Sequence, residues 1–156
     1  MIKSLSVTTI IASLILLLLS GCGSGEEQQP DPEMTDGEGI QIEEAWARPA
    51  FEGRMSAAYF LLTNFESEPD TLLSVDSDAA LVVEMHESYE SEEGLMGMRE
   101  VNNVLIPAQS SLRFQQGGLH IMLIQVTQTL EDGDSFYLTL DFARAGEKTI
   151  SVPVRL

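Results

Sequence analysis

Cysteine and tryptophan each occur once in this chain of 156 residues, histidine twice, and only 8 residues are basic against 25 acidic. Each scarcity excludes something. One thiol, Cys22, cannot close an intrachain disulfide, and it cannot build a zinc–thiolate or iron–sulfur centre within one chain. A formal net charge of −17 leaves no basic patch for phosphates, so nucleic acid is not a partner. The same charge rules out electrostatic adhesion to anionic lipid headgroups. No G-x-S-x-G, H-E-x-x-H or Walker loop occurs, and no other catalytic constellation stands out, so the chain does not read as an enzyme.

What is present begins with a targeting segment. Residues 1–21 combine Lys3 with the apolar run Ile10–Leu19, too short for a spanning helix, and read as a secretory signal. The run ends in Leu19-Ser20-Gly21-Cys22, which resembles a bacterial lipobox. That resemblance implies cleavage before Cys22, lipidation of its sulfur and a membrane-anchored, periplasmic or otherwise extracytoplasmic protein. The folded part would then contain no thiol. Residues 22–39, rich in Gly, Pro, Glu and Asp, carry no apolar periodicity and read as a disordered acidic tether.

From Ile40 the pattern changes, and residues 40–156 read as one domain. Short alternating apolar runs recur between turn signals, the signature of an all-β sandwich or barrel. The runs are 40–46, 57–63, 71–75, 81–86, 96–101, 111–114, 120–127, 135–142 and 147–154. In the run from Ser135, Phe136, Leu138, Leu140 and Phe142 alternate with Tyr137, Thr139 and Asp141, so the first set faces a core. Trp46, Tyr59, Phe60, Phe114, Phe136 and Phe142 are expected in that core. The acidic set Glu84, Glu87, Glu90, Glu92 and Glu93 reads as a solvated loop. Arg99 reads as one half of a surface ion pair.

Both histidines have methionine neighbours. His86 follows Met85, His120 and Met122 form a His-x-Met triplet, and Met96 and Met98 lie between them. In a strand, residues i and i+2 share a face, so His120 and Met122 can converge on one ion, as can Met96 and Met98. Met85 points to the face opposite His86 and is, with Met55, a reserve. Imidazole with thioether suits Cu(I), a soft ion that takes sulfur and nitrogen donors without strict geometry. Thioethers do not oxidise to disulfides, so such a set works in oxidising compartments. The blue-copper electron-transfer site is excluded, because it requires a Cys ligand. The competing reading of any single methionine here is core filler.

Residues 40–154 resemble the periplasmic copper chaperone family PCuAC. The family pattern is a His, a Met about ten residues on, then twenty-one residues, then His-x-Met. Here twenty-one residues separate Met98 from His120-Ile-Met122, and eleven separate His86 from Met98, one more than the pattern. The extra residue falls in the segment Glu87–Glu93 and keeps Met96 in competition with Met98. Ala45-Trp-Ala-Arg48, Met55-Ser-Ala-Ala-Tyr-Phe60 and Gly117-Gly-Leu-His-Ile-Met-Leu123 carry the rest of the likeness. The resemblance implies a cupredoxin-like Greek-key β-sandwich. It implies one Cu(I) held by His86, Met98, His120 and Met122. It also implies delivery of copper for cytochrome c oxidase assembly, to the subunit carrying CuA, alone or with a thioredoxin-like copper partner. A lipoprotein that sequesters copper without an oxidase client would use the same residues.

Overall fold

The computed structural model describes residues 37–156. The signal segment, Cys22 and most of the tether lie outside the described residues. Ten strands form two antiparallel sheets: β1 (Ile40–Ala47), β2 (Ser56–Asn64), β3 (Asp70–Asp76), β4 (Ala80–Glu90), β5 (Met96–Glu100), β6 (Val104–Ile106), β7 (Ser110–Phe114), β8 (Leu119–Val126), β9 (Ser135–Phe142) and β10 (Gly146–Pro153). One sheet runs β1-β2-β8-β4-β5, with β7 also paired to β2, and the other runs β10-β9-β3-β6. The all-β sandwich expected from the alternation is therefore present.

The core lies between the sheets. Phe60 and Leu62 of β2, Phe114 of β7, Met85 of β4, and Ile121 and Leu123 of β8 meet Leu72, Leu138, Leu140, Phe142 and Val152 of the facing sheet, all buried. Phe60 and Phe114 are register partners and stack at 4.4 Å between ring centroids. Full burial of such a side chain stabilises the fold by about 1.5–3 kcal/mol. A parallel bridge from Ala47 to Val154 ties the edge of the first sheet to the end of β10.

Three expectations need correction. Val104–Ile106 is a short strand against β3, although it falls between the runs 96–101 and 111–114 and belongs to neither. Glu84, Glu87 and Glu90 are not loop residues: β4 continues to Glu90, and only the tip near Glu92 and Glu93 turns. The stretch Glu87–Glu90 gives little apolar period, and cross-strand pairing with β5 holds it extended instead.

The third concerns Trp46 and Tyr59, neither of which joins the inter-sheet core. The β1–β2 register shifts by one between Glu43↔Leu61 and Trp46↔Tyr59, and Glu44 takes φ +54° within the shift. Without this bulge, Trp46 would face Ala58 and point into the core. With it, Trp46 lies opposite Tyr59 and both turn to the outer face of the sheet, as bulges commonly re-aim a side chain.

Candidate metal centre

The outer face of the large sheet collects the imidazoles and two of the candidate thioethers through strand register alone. His86 on β4 is the direct partner of His120 on β8, and Met122 is the partner of Glu84. On the other side of β4, His86 faces Glu100 and Ser88 faces Met98. On the far side of β8, Ala57 faces Met122, and the next outward residue of β2 is Tyr59. Tyr59 lies 6.5 Å from His120 between ring centroids and 4.7 Å from Trp46, and Arg155 lies over the Trp46 ring. The two aromatics thus wall the histidine face rather than fill the core.

A cavity of about 370 Å³ opens on this face, with Met98, His120 and Met122 in its lining. Met98 is 58% exposed, and His120 is only 5% exposed. Met96, two residues nearer the hairpin tip, faces Glu90 and does not line the cavity. Met85 is 4% exposed and packs in the core on the opposite side of β4. Gly97, between the two methionines, lies opposite Tyr89, whose ring covers it so closely that a Cβ there would meet the ring at 2.7 Å. Arg99 pairs with Glu87 and covers the Tyr89 ring, on the side of the hairpin away from His86 and Met98.

Each histidine is fastened by one ring nitrogen. His120 Nδ1 lies 2.9 Å from the Gly118 carbonyl. A carbonyl only accepts, so Nδ1 carries the proton and Nε2 of the neutral ring keeps its lone pair. The same carbonyl accepts the Ser88 amide of β4 at 3.1 Å, which fixes the turn against the neighbouring strand. His86 is fastened the other way: Nε2 lies 2.8 Å from Glu84 Oε2. The carboxylate accepts, so Nε2 carries the proton and Nδ1 of the neutral ring holds a lone pair. That Nδ1 is buried and has no hydrogen-bond partner among the described residues. Buried polar atoms are rarely left so, and a water or a bound ion is among the partners that would satisfy it.

The arrangement matches what a soft cation needs. Two imidazoles, each oriented by an acceptor at one ring nitrogen, stand among thioethers; ligating histidines characteristically donate their other N–H to a carboxylate or carbonyl in this way. Among the described residues, no group of three or more His, Cys, Asp and Glu side chains converges as a metal site, and the further candidate donors on this face are methionine sulfurs. Sequence reading missed Glu84 as a partner of His86, although the same i, i+2 rule that joins His120 to Met122 places the two on one face.

Residues 40–154 match the family described as "Putative lipoprotein LpqE-like". The "Putative lipoprotein Lxx21020" of Leifsonia xyli subsp. xyli is 32% identical over 154 residues, which cover 98% of this chain and 90% of the relative. The copper-bound PCuAC domain from PmoF2 shares the fold with a TM-score of 0.62 and 28% identity, over 74% of this chain and 92% of that domain. The Cu(I) form of DR1885 from Deinococcus radiodurans, solved in solution, gives a TM-score of 0.57 and 26% identity, over 73% of this chain and 78% of its own. The sandwich is thus the cupredoxin-like fold of PCuAC domains.

Proposed function

The chain belongs to the LpqE-like lipoprotein family and has the PCuAC fold, and from that premise we propose that it is a lipid-anchored Cu(I) carrier outside the cytoplasm. The observation that carries the reading is the paired histidine face: two imidazoles in register, held by opposite nitrogens, with a lone pair left on each and thioethers beside them. Met98, His120 and Met122, which line the cavity, hold the ion together with His86, which lies outside the lining but is the register partner of His120; Met85 packs in the core and Met96 lies nearer the hairpin tip. Copper is cargo here, not a resident catalyst. All four donors are neutral, so they bind less tightly than thiolates would and can pass the ion on.

Residues 1–21 direct export, Cys22 carries the lipid, residues 22–39 form the tether and residues 40–156 form the copper-carrying domain. The recipient is the cytochrome c oxidase subunit that carries CuA, reached directly or through a thioredoxin-like copper partner. Titration of the protein with Cu(I) against a chromophoric Cu(I) competitor tests the cargo. One tight site is expected, and no competition would overturn the reading. A deletion strain tests the client: oxidase activity should fall under copper limitation. Copper sensitivity with normal oxidase activity would instead assign sequestration.

A further inference from the structure

The cavity on the histidine face has a third thioether in its lining, Met55, which lies one residue before β2 on the loop that follows β1. The ladder between β2 and β8 runs Ser56↔Leu123, Ala57↔Met122, Ala58↔Ile121. Continued by one residue, it sets Met55 beside Ile124, diagonal to Met122 on the same face. Diagonal neighbours on one face lie about 7–8 Å apart, within reach of long side chains. The residue between them, Ala57, is short, so two unbranched methionine side chains can approach across it.

The loop is held in place. The Gly53 amide donates to the Val126 carbonyl at 2.8 Å, the Val126 amide donates to the Arg54 carbonyl at 2.9 Å, and the Ser56 hydroxyl donates to the Arg48 carbonyl. Met55 itself is 63% exposed and belongs to no core contact. A large apolar side chain that lines the cavity, is mostly exposed and lies outside the core cluster has no core-packing role to explain it. His86, in contrast, does not line this cavity and is held to Glu84. The donors that surround the open space are Met55, Met98, His120 and Met122.

We propose that Met55 is a sulfur donor to Cu(I) in this cavity, the solvent-side ligand through which the ion enters and leaves. The inference rests on the reading of the cavity as the Cu(I) site and extends it to a residue outside the His–Met spacing. Ligand exchange at Cu(I) forms one Cu–S bond as another Cu–donor bond breaks, with no change of oxidation state. Exchange among neutral thioethers also releases no proton.

The test is methionine methyl NMR on the full-length chain, labelled at its 7 methionines and titrated with Cu(I), with Met55→Leu as assignment and functional variant. Leucine keeps the bulk and removes the sulfur. The Met55 methyl resonance should move in step with those of Met98 and Met122 up to one equivalent, while that of Met85 stays. Met55→Leu should lower Cu(I) affinity about ten-fold, the low end for loss of a group supporting a metal. It should unfold at the wild-type temperature. A wild-type chain that binds Cu(I) with a still Met55 resonance, and a variant that titrates like wild type, would overturn the proposal and leave the carrier reading standing. A wild-type chain that binds no Cu(I) would overturn both.

Discussion

His86 and His120 are direct register partners on β4 and β8, with ring centroids 5.9 Å apart and planes at 64°, yet they are fastened by opposite nitrogens. The strand ladder brings the rings together, and two different acceptors decide which nitrogen each ring leaves free. Removing His120 and Met122 together should therefore abolish stoichiometric Cu(I) binding. The loss should exceed the ten- to hundred-fold typical of removing an outer-shell partner. Both side chains lie on the outer face, so the double alanine variant should keep the wild-type far-UV circular dichroism. Competition with a chromophoric Cu(I) chelator reads the affinity, and retained one-to-one binding would refute the assignment.

Glu84 offers a separate handle on the same face. It is the partner of Met122 in the ladder and the acceptor for His86 Nε2. Glu84→Ala removes the acceptor and frees the ring to turn. We expect a roughly ten-fold loss of Cu(I) affinity with a change in stability of about 1 kcal/mol or less, because the Glu84–His86 hydrogen bond is only partly buried. Imidazole nitrogen shifts in the apoprotein should show His86 protonated on Nε2 in the wild type and a mixture of tautomers in the variant. Identical imidazole spectra would show that Glu84 does not orient the ring.

The sandwich and the His120–Met122 face were legible because both follow from period two, which a strand imposes on every side chain. What was not legible depended on register between strands far apart in sequence. Trp46 continues the alternation of β1 perfectly well as a core residue, and only the bulge at Glu44 sends it outward. A bulge adds one residue without any compositional mark when, as here, the left-handed position is a Glu rather than Gly or Asn. Met55 likewise gains its meaning from the pairing of β2 with β8, which no local pattern announces. Glu84 was within reach of the i, i+2 rule, but its place in an acidic run drew it into a loop reading.

Trp46 supplies a third prediction, since it is the sole tryptophan of the chain and packs at a tilt against Tyr59, itself beside His120. Its emission should change on Cu(I) addition and level off at one equivalent. Trp46→Phe should lose that signal while keeping the affinity measured by chelator competition. An emission that ignores Cu(I) while the competitor reports binding would place the ion away from this wall.

The turn before β8 tests how much backbone geometry supports the site. Gly117 takes φ +80°, whereas Gly118 does not sit in the left-handed region, and its Cβ would make an ordinary contact at 3.4 Å with Gln115. Gly117→Ala should cost about 1–2 kcal/mol, the penalty of forcing a Cβ into that region. Gly118→Ala should stay within about 0.5 kcal/mol, as most changes away from special features do. The Gly118 carbonyl orients His120, so Gly117→Ala should also weaken Cu(I) binding. Denaturant unfolding of the two variants side by side distinguishes this from a general glycine effect, and equal losses would remove the conformational explanation.

The anchor makes the last prediction, and charge decides how it must work. A chain carrying −17 is repelled by anionic headgroups, so surface charge does not supply the proposed anchoring, which rests on lipid at Cys22. One acyl chain gives only marginal, reversible binding, and stable anchoring takes more than one such signal. Cys22 is the only sulfur nucleophile of the chain and follows directly on the apolar segment. Cys22→Ala should therefore shift the protein from the membrane fraction to the soluble fraction, and mass spectrometry of the wild type should find the acyl groups on Cys22. Cu(I) affinity should be unchanged, because the cavity is built wholly from residues of the sandwich and its loops. A variant that stays with the membrane would mean that the apolar segment, and not the lipid, holds the protein there.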